Sequence, residues 1–245
     1  MNVVFLGPTL PQDVARGLCD AVFLPPARRG DVLAAIERYR PATIALIDGY
    51  FEQVPAVWHK ELLFALAEGI RVAGAASMGA LRAAELRSFG MIGVGRVFEA
   101  YATGRFAPFP EPFMADDEVA VAHGPAELGY PATEALVDIR ASLAAAVEAG
   151  VLDLEAALAV AAVAKGLFYK ERSWASVLAI ATDAGIEVAA LAAWLPAGRV
   201  AQKRLDAEAL LCRLAADALP LIPPAFRFER TLLWEEALGP VGDPP

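Results

Sequence analysis

Residues 72–86 read VAGAASMGALRAAEL. An apolar run narrows to alanine and glycine, a single serine follows at position 77, and an alanine-rich segment then begins. Short apolar runs are typical of buried strands and alanine favours helices, so the stretch predicts a strand that passes directly into a helix. Ser77 stands at the junction. Its hydroxyl is therefore either a helix cap or a reactive group at the edge of a sheet.

The chain before this junction contains three further apolar runs that end at glycine or proline. The predicted strands are 2–7, 21–26, 43–50 and, before the serine, 71–77. Between them, residues 31–40 have helical spacing, and residues 55–69 begin with proline and end at glycine. Alternating strands and helices predict a parallel sheet with crossover helices, which is the α/β class.

The second half of the chain has a different pattern. Residues 116–125 are predicted to form one further strand, and residues 131 to about 218 are predicted to be almost entirely helical. The tail that follows is rich in proline and contains aromatic residues, which indicates an arm or a partner-docking segment. We expect three parts: an α/β core with Ser77 over 1–128, a helical subdomain over 129–218 and the C-terminal tail over 219–245.

Composition excludes several classes of function. The formal net charge of -9 argues against a nucleic-acid surface, which needs clustered lysine and arginine. The apolar runs are shorter than the roughly 18 residues of a membrane span, and no cationic region precedes the first of them. Cys19 and Cys212 are the two cysteines, so neither a disulfide framework nor a Cys-x-x-Cys metal site is expected. We expect a cytoplasmic protein without contact to membranes.

Six segments carry a resemblance to a known family. In order along the chain they are FLGPTL, LPPARRGDV, IDGYFEQVPAVWHKE, GAASMGALRAAEL, FGMIGVGRVFEAY and DDEVAV. Together they resemble the TfuA family, over a stretch from Val3 to about Asp206. The residues after Asp206 lie outside the resemblance.

The resemblance implies a role beside YcaO enzymes, which use ATP to activate a peptide amide oxygen that sulfur then replaces, giving a thioamide. A TfuA-like protein is expected to hydrolyse the C-terminal thiocarboxylate of a ThiS-type ubiquitin-like carrier and so release sulfide. It is also expected to help YcaO engage the precursor peptide. The family is described as using a serine–lysine pair. We expect these three partners and no cofactor.

In this interpretation Ser77 attacks the thiocarboxylate carbon. The amides of Met78 and Gly79 belong to the first helical turn, where N–H groups lack internal partners, and they would hold the oxyanion. Gly74 and Gly79 would let the backbone of the carrier approach closely. The alternative is that Ser77 is an N-cap. The Gly-x-Ser-x-Gly pattern of α/β-hydrolases is absent, because Ala75 occupies its first glycine position.

The base that would activate Ser77 is less clearly indicated. The chain has the lysines Lys60, Lys165, Lys170 and Lys203, and a serine–histidine arrangement would draw on His59 or His123. A lysine accepts a proton only when neutral, and burial lowers its pKa. By that criterion we take Lys165, which interrupts the apolar stretch ALAVAAVAKGLFY, as the candidate base. Lys60 is the rival, because it follows a loop at the presumed active edge.

Further polar residues are candidates for binding. Arg82 and Glu85 lie three apart on the predicted helix, close enough to pair, and His59 is a third candidate for partner contact. Asp48 lies at the end of the third predicted strand, at the same edge as Ser77. Arg172 either anchors the carboxylate of the carrier or caps a helix.

No catalytic metal is expected at the acidic run 116–118, because three adjacent carboxylates in a strand would point to alternating faces. Two functions remain open: a hydrolase that uses Ser77, and a non-catalytic adaptor that docks the precursor peptide onto YcaO. A nucleotide-binding protein is a distant third, because FLGPTL lacks the glycine spacing of the known phosphate-binding loops.

Overall fold

The computed structural model describes residues 1–52, 54–128 and 132–238. Within these ranges five strands form one sheet in the order β2-β1-β3-β4-β5, and every neighbouring pair is parallel. The strands are β1 Asn2–Phe5, β2 Val22–Leu24, β3 Thr43–Leu46, β4 Arg71–Ala75 and β5 Ile92–Val94. The predicted α/β class is confirmed.

Helices cover both faces of the sheet and fill the second half of the described chain. They are α1 Gln12–Leu18, α2 Asp31–Tyr39, α3 His59–Ala67, α4 Met78–Leu86, α5 Arg96–Thr103, α6 Leu136–Glu148, α7 Leu154–Gly166, α8 Trp174–Asp183, α9 Ala189–Gly198, α10 Gln202–Ala215 and α11 Leu232–Leu238. Within the described ranges, none of them combines the length and the apolar character that crossing a membrane requires.

Two strand predictions need correction. The sequence does not predict β5, because glycines interrupt the apolar pattern of its segment. In the structure this strand pairs with β4, and Gly93 and Val94 are among the paired residues. The strand predicted over 116–125 is wrong, because Asp116–Glu118 is a single turn of 3₁₀ helix. A strand would send these side chains to alternating faces, whereas in the helical turn Asp117 pairs with Arg172, Glu118 pairs with Arg140 and Asp116 lines a cavity.

The sheet is a buried layer between two sets of helices. Successive side chains of β1 point to opposite faces: Val3 and Phe5 pack with residues of α2, α3 and α4, and Val4 packs with residues of α1 and α10. All three side chains are almost inaccessible to solvent. Apolar residues on both faces explain why the strands read as nearly continuous hydrophobic runs.

Helix α10 joins the second half of the chain to the sheet. Its Leu210 and Leu211 are fully buried in one cluster with Ala45 of β3 and Ala73 of β4. Helices α5 to α9 instead share a separate apolar cluster. The division into a core over 1–128 and a helical subdomain over 129–218 stays a prediction, and α10 makes contact across it.

The described part of the tail packs on α3. Phe228 and Trp234 each lie 5.4 Å from the ring of Phe64, measured between ring centroids, and Trp234 is buried. The amine of Lys60 donates to the hydroxyl of Thr231 at 2.8 Å. These residues therefore form an arm held against α3, while a role in docking a partner stays a prediction.

Helix α4 lies unusually close to the strands beside it. A Cβ atom at Gly79 would stand 1.8 Å from the carbonyl oxygen of Leu46, and one at Gly74 would stand 2.0 Å from the carbonyl oxygen of Gly79. The two glycines thus permit contact between backbone segments of this chain. The expectation that they make room for the carrier is wrong, because the space is already filled by α4 and β3.

Gly79→Ala is expected to destabilise the fold by about 3 kcal/mol or more, because backbone atoms would have to move to admit the methyl group. Gly17→Ala in α1 is the matched control: its Cβ would meet no atom within 4 Å, and removing a helical glycine stabilises by about 0.5–1 kcal/mol. Urea unfolding midpoints measure both changes. Equal midpoints for the two variants would contradict the close packing of α4.

Candidate active site

A small cavity lies at the carboxyl edge of the sheet, with a volume of about 50 Å³. Helix α1 follows β1 on one face and α3 follows β3 on the other, so the ends of these strands form the switch point at which α/β proteins bind ligands. The loops after the strands contribute Asp48, which follows β3, and Ser77, which follows β4. The facing wall contributes Asp116 and His123. The cavity has room for a carboxyl-sized group or a few waters.

Ser77 lies at a sharp turn between β4 and α4. Its N–H donates to the carbonyl of Ala75 at 2.9 Å, which closes a three-residue γ-turn around Ala76. Ala76 has a φ of 68°, a left-handed conformation that costs a non-glycine residue energy. The turn reverses the chain so tightly that the side chain of Ser77 faces the cavity, with 9% of the residue exposed.

The Ser77 hydroxyl does not cap the helix. Ser77 occupies the N-cap position of α4, but its side chain accepts no hydrogen bond from the first turn. Among the described residues no other group is hydrogen-bonded to this hydroxyl. The structural alternative, in which serine is chosen for capping, therefore lacks the bond that would justify it.

One of the two expected oxyanion donors is engaged elsewhere. The N–H of Gly79 donates to the carbonyl of Ile47 at 3.2 Å, because α4 lies against the end of β3. The N–H of Met78 has no acceptor among the described residues. The prediction for Gly79 is therefore wrong, and Met78 is the amide at this turn that can bind an anion.

Neither candidate lysine lines the cavity. Lys165 has 38% of its side chain exposed, and its amine lies 2.6 Å from an oxygen of Asp117 and 3.6 Å from one of Glu118. The expectation that apolar neighbours bury it is wrong, because those residues face the helical cluster while the amine leaves the helix towards two carboxylates. Lys60 points to the tail, as described above.

The other two lysines are also bound to oxygen atoms. Lys203 is 4% exposed, and its amine donates to the carbonyl of Val119 at 2.9 Å. Val119 lines the cavity, so Lys203 supports the wall from behind. Lys170 pairs with Glu52 at 2.9 Å on the surface. Burial, the criterion that favoured Lys165, is met by Lys203, although the sequence around Lys203 (QKRLDAE) is polar.

His123 lines the cavity together with Ser77. Its Nδ1 lies 2.9 Å from the carbonyl of Gly124 and its ring centroid 6.1 Å from that of Tyr50. A carbonyl accepts only from a protonated nitrogen, so this contact favours the tautomer with the proton on Nδ1 and makes Nε2 the basic nitrogen. The sequence offers His59 and His123 as candidate bases, and of these two His123 is the one that lines the cavity.

Asp48 is buried and organises the rim of the cavity. One carboxylate oxygen accepts from the N–H groups of Gly7 and Thr9 at 2.9 and 3.2 Å, and the other accepts from the Thr9 hydroxyl at 2.6 Å. The carboxylate thus holds the loop that follows β1. Asp48 lies at the edge predicted from the sequence, where it positions the loop.

The facing wall is held by buried ion pairs. The guanidinium of Arg140 forms two parallel bonds to Glu118, at 3.1 and 3.2 Å, and both residues are buried. Arg172 is fully buried and donates to the carboxylate and the carbonyl of Asp117 at 3.1 and 3.0 Å. The remaining residue of the run, Asp116, lines the cavity.

Arg172 also donates to the carbonyls of Ala164 and Leu167 at the end of α7, each at 3.0 Å. Its expected alternative role as a helix cap is therefore the one the structure supports. A role in binding the carboxylate of the carrier is not supported, because the guanidinium is fully buried and already bound. Partial burial opposes ionisation of Asp117, but Lys165 and Arg172 outweigh it and lower the pKa of that carboxyl.

A second cluster lies on the surface outside the cavity. Arg82 and His59 both contact the same oxygen of Glu85, each at 2.7 Å, so the pairing expected for Arg82 and Glu85 is confirmed. Desolvation opposes the charged form, but the His59 hydrogen bond and the Arg82 charge lower the pKa of Glu85. Contact of this cluster with a partner stays a prediction.

In the described ranges no group of three His, Cys, Asp or Glu side chains could hold a metal ion.

A family described as TfuA-like protein matches residues 48–173, which are 126 of the 245 residues. The chain belongs to the TfuA-like family. The match begins at Asp48 and includes Ser77, Asp116 and His123, whereas Lys203 lies beyond it. A search of curated proteins found no match. The TfuA-like family is associated with thioamidation and with YcaO-type partners.

Asp117→Asn should destabilise the protein at pH 7 by about 1–2 kcal/mol, because Arg172 loses a charged acceptor. The lowered pKa of Asp117 means that its contribution is present above the pKa of an unfolded aspartate, about 3.9, and is lost as pH falls through the folded value. The difference from wild type should therefore shrink in acid. Urea unfolding at pH 7 and pH 3 measures it.

Asp183→Asn is the control, since Asp183 is exposed and ends α8. Its unfolding free energy should stay within about 0.5 kcal/mol of wild type. A deficit for Asp117→Asn that is equal at both pH values would contradict the electrostatic role of Asp117.

Proposed function

We propose that this TfuA-like protein is a serine hydrolase that releases sulfide from the C-terminal thiocarboxylate of a ThiS-type carrier, for use by a YcaO enzyme in peptide thioamidation. One observation carries the proposal: Ser77 lines a small cavity together with His123, and its hydroxyl is not used to cap its helix. A serine kept only for helix capping would make the capping bond.

In the proposed reaction His123 takes the proton of the Ser77 hydroxyl as the oxygen attacks the thiocarboxylate carbon. The charge that develops on the carbonyl oxygen is stabilised by the N–H of Met78 at the start of α4. The carbon–sulfur bond breaks, and the proton held by His123 leaves with the sulfur as hydrosulfide.

The second half of the reaction regenerates the serine. Water, activated by His123, attacks the acyl-serine ester, and the carrier leaves as a carboxylate while Ser77 recovers its proton. No redox partner is needed, because sulfur leaves at the oxidation level at which it arrived. A YcaO enzyme bound nearby would capture the hydrosulfide before it diffuses away.

The proposal replaces the expected serine–lysine pair by a serine–histidine pair. Lys165 is held by two carboxylates and Lys60 by Thr231, whereas His123 shares the cavity with Ser77. A general base must come within hydrogen-bond reach of the proton that it removes, and such contacts often tighten only once substrate is bound, so the proposal requires His123 to approach the Ser77 hydroxyl in the complex.

Ser77→Ala is expected to reduce sulfide release from a thiocarboxylated ThiS-type carrier by at least about 100-fold. Its unfolding free energy should change by no more than about 0.5 kcal/mol, because no capping bond is lost. Sulfide is measured colorimetrically and stability by urea unfolding. Normal sulfide release by the alanine variant would end the hydrolase proposal and leave the adaptor function.

His123→Gln should lower the rate of sulfide release by about 100-fold or more, since the general base is removed. His59→Gln is the matched control on the surface cluster and should retain the wild-type rate within a factor of about two. Lys165→Met and Lys60→Met should behave like this control. If either lysine variant loses activity while His123→Gln keeps it, the base is a lysine and the histidine assignment is wrong.

A further inference from the structure

A second cavity lies beside the first, between the ends of β1 and β2 and the helix α2. We call it the α2 groove. Its volume is about 530 Å³, against about 50 Å³ for the cavity at Ser77. Much of its lining is apolar, and the residues that matter here are Phe5, Leu24, Ala34, Tyr39 and Val54.

The two cavities are adjacent. Pro26 and Tyr50 line both of them, and the ring of Tyr50 also stands 6.1 Å from the ring of His123. A chain that enters the α2 groove and passes Tyr50 therefore reaches the cavity that contains Ser77. The groove is the approach to the proposed reaction centre on the side of α2.

Size decides what each cavity can hold. The Ser77 cavity accepts one terminal group, so the rest of any larger substrate has to lie outside it. The α2 groove falls within the range of about 300–1,000 Å³ that is typical of ligand-binding pockets. A substrate that occupies both is an extended chain that ends in its reactive acyl group.

Charge favours an acidic chain. Arg28, Asp31 and Arg38 line the groove, so its charged side chains sum to +1 although the whole protein carries -9. Arg28 is 3.6 Å from Asp31, whereas Arg38 has no carboxylate within ion-pair distance among the described residues. Arg38 is exposed at the last turn of α2, where it can meet an anionic side chain.

We propose that the α2 groove binds the extended C-terminal segment of the carrier protein, with an acidic side chain of that segment against Arg38 and the terminal acyl group at Ser77. This inference rests on the proposed function, whose substrate it describes. Apolar side chains of the segment pack between Leu24 and Ala34, and Tyr50 separates the groove from the reaction centre.

The test measures binding of a ThiS-type carrier in its carboxylate form, so that no turnover is required. Ala34→Trp fills the groove, and Arg38→Glu reverses the charge of the guanidinium that lies 5.2 Å from the centre of the Tyr39 ring. Both positions are exposed, so the fold should persist, which urea unfolding checks. Each variant should raise the Kd, measured by fluorescence anisotropy with a labelled carrier, by about tenfold.

Two matched controls lie on other helices. Ala193→Trp adds the same ring to an exposed alanine of α9, and Arg213→Glu reverses an exposed arginine in the last turn of α10. Both should leave the Kd within a factor of about two. A carrier with a lysine in place of the acidic residue nearest its C-terminus should recover binding to Arg38→Glu.

Unchanged binding by both groove variants would overturn the groove assignment, and so would an equal loss of binding by the controls. A dimer that forms in wild type and is lost in Ala34→Trp, with carrier binding unchanged, would assign the groove to a second copy of the chain instead. Failure of the proposed function is seen separately, as sulfide release that does not depend on Ser77.

Discussion

The contact of the backbone of α4 with the end of β3 is the constraint on which the site depends. Gly79 has no Cβ, so its Cα can lie against the carbonyl of Leu46 while its N–H donates to Ile47. This contact fixes the start of α4 relative to the sheet and leaves Ala76 to complete the turn in a left-handed conformation. The direction of the Ser77 side chain follows from the two together. A larger residue at position 79 would therefore force backbone atoms to move.

The opposite wall of the cavity depends on charge. Glu118 and Arg140 are both removed from solvent, and a buried charge is tolerated only when it is paired and hydrogen-bonded. Arg172 adds a second anchor at Asp117. Two adjacent carboxylates are therefore held by arginines of the helical part, and Asp116 is left to line the cavity with Ser77. One wall of the site is shaped by backbone packing and the other by ion pairs.

Local pattern was sufficient to predict much of the first half of the chain. The apolar runs give the first four strands, and the small residues around Ser77 mark the turn, because both signals arise from neighbours in sequence. The same dependence on local pattern explains why β5 was not predicted. Gly93 interrupts the apolar run of this strand, and the pairing of the strand with β4 involves residues that are distant in sequence.

The roles of the charged residues could not be predicted in the same way. Lys165 has apolar neighbours along the chain, but a side chain at the end of a helix can leave the face on which those neighbours lie. Lys203 has charged neighbours and is nevertheless buried by loop and helix residues that are remote in sequence. His123 shares the cavity with Ser77 only because the wall residues fold back over the sheet.

The position of α10 has a consequence for the order in which the protein is assembled. Residues 202–215 cover one face of the sheet and Asp206 accepts the N–H of Val97 at the start of α5. During synthesis the strands and α1 leave the ribosome before this helix, so the part of this face that α10 covers stays exposed until residues 202–215 have been made. Hydrophobic surface that waits for a late partner is prone to aggregation. We therefore expect the nascent first half to gain its full stability only once α10 has been made.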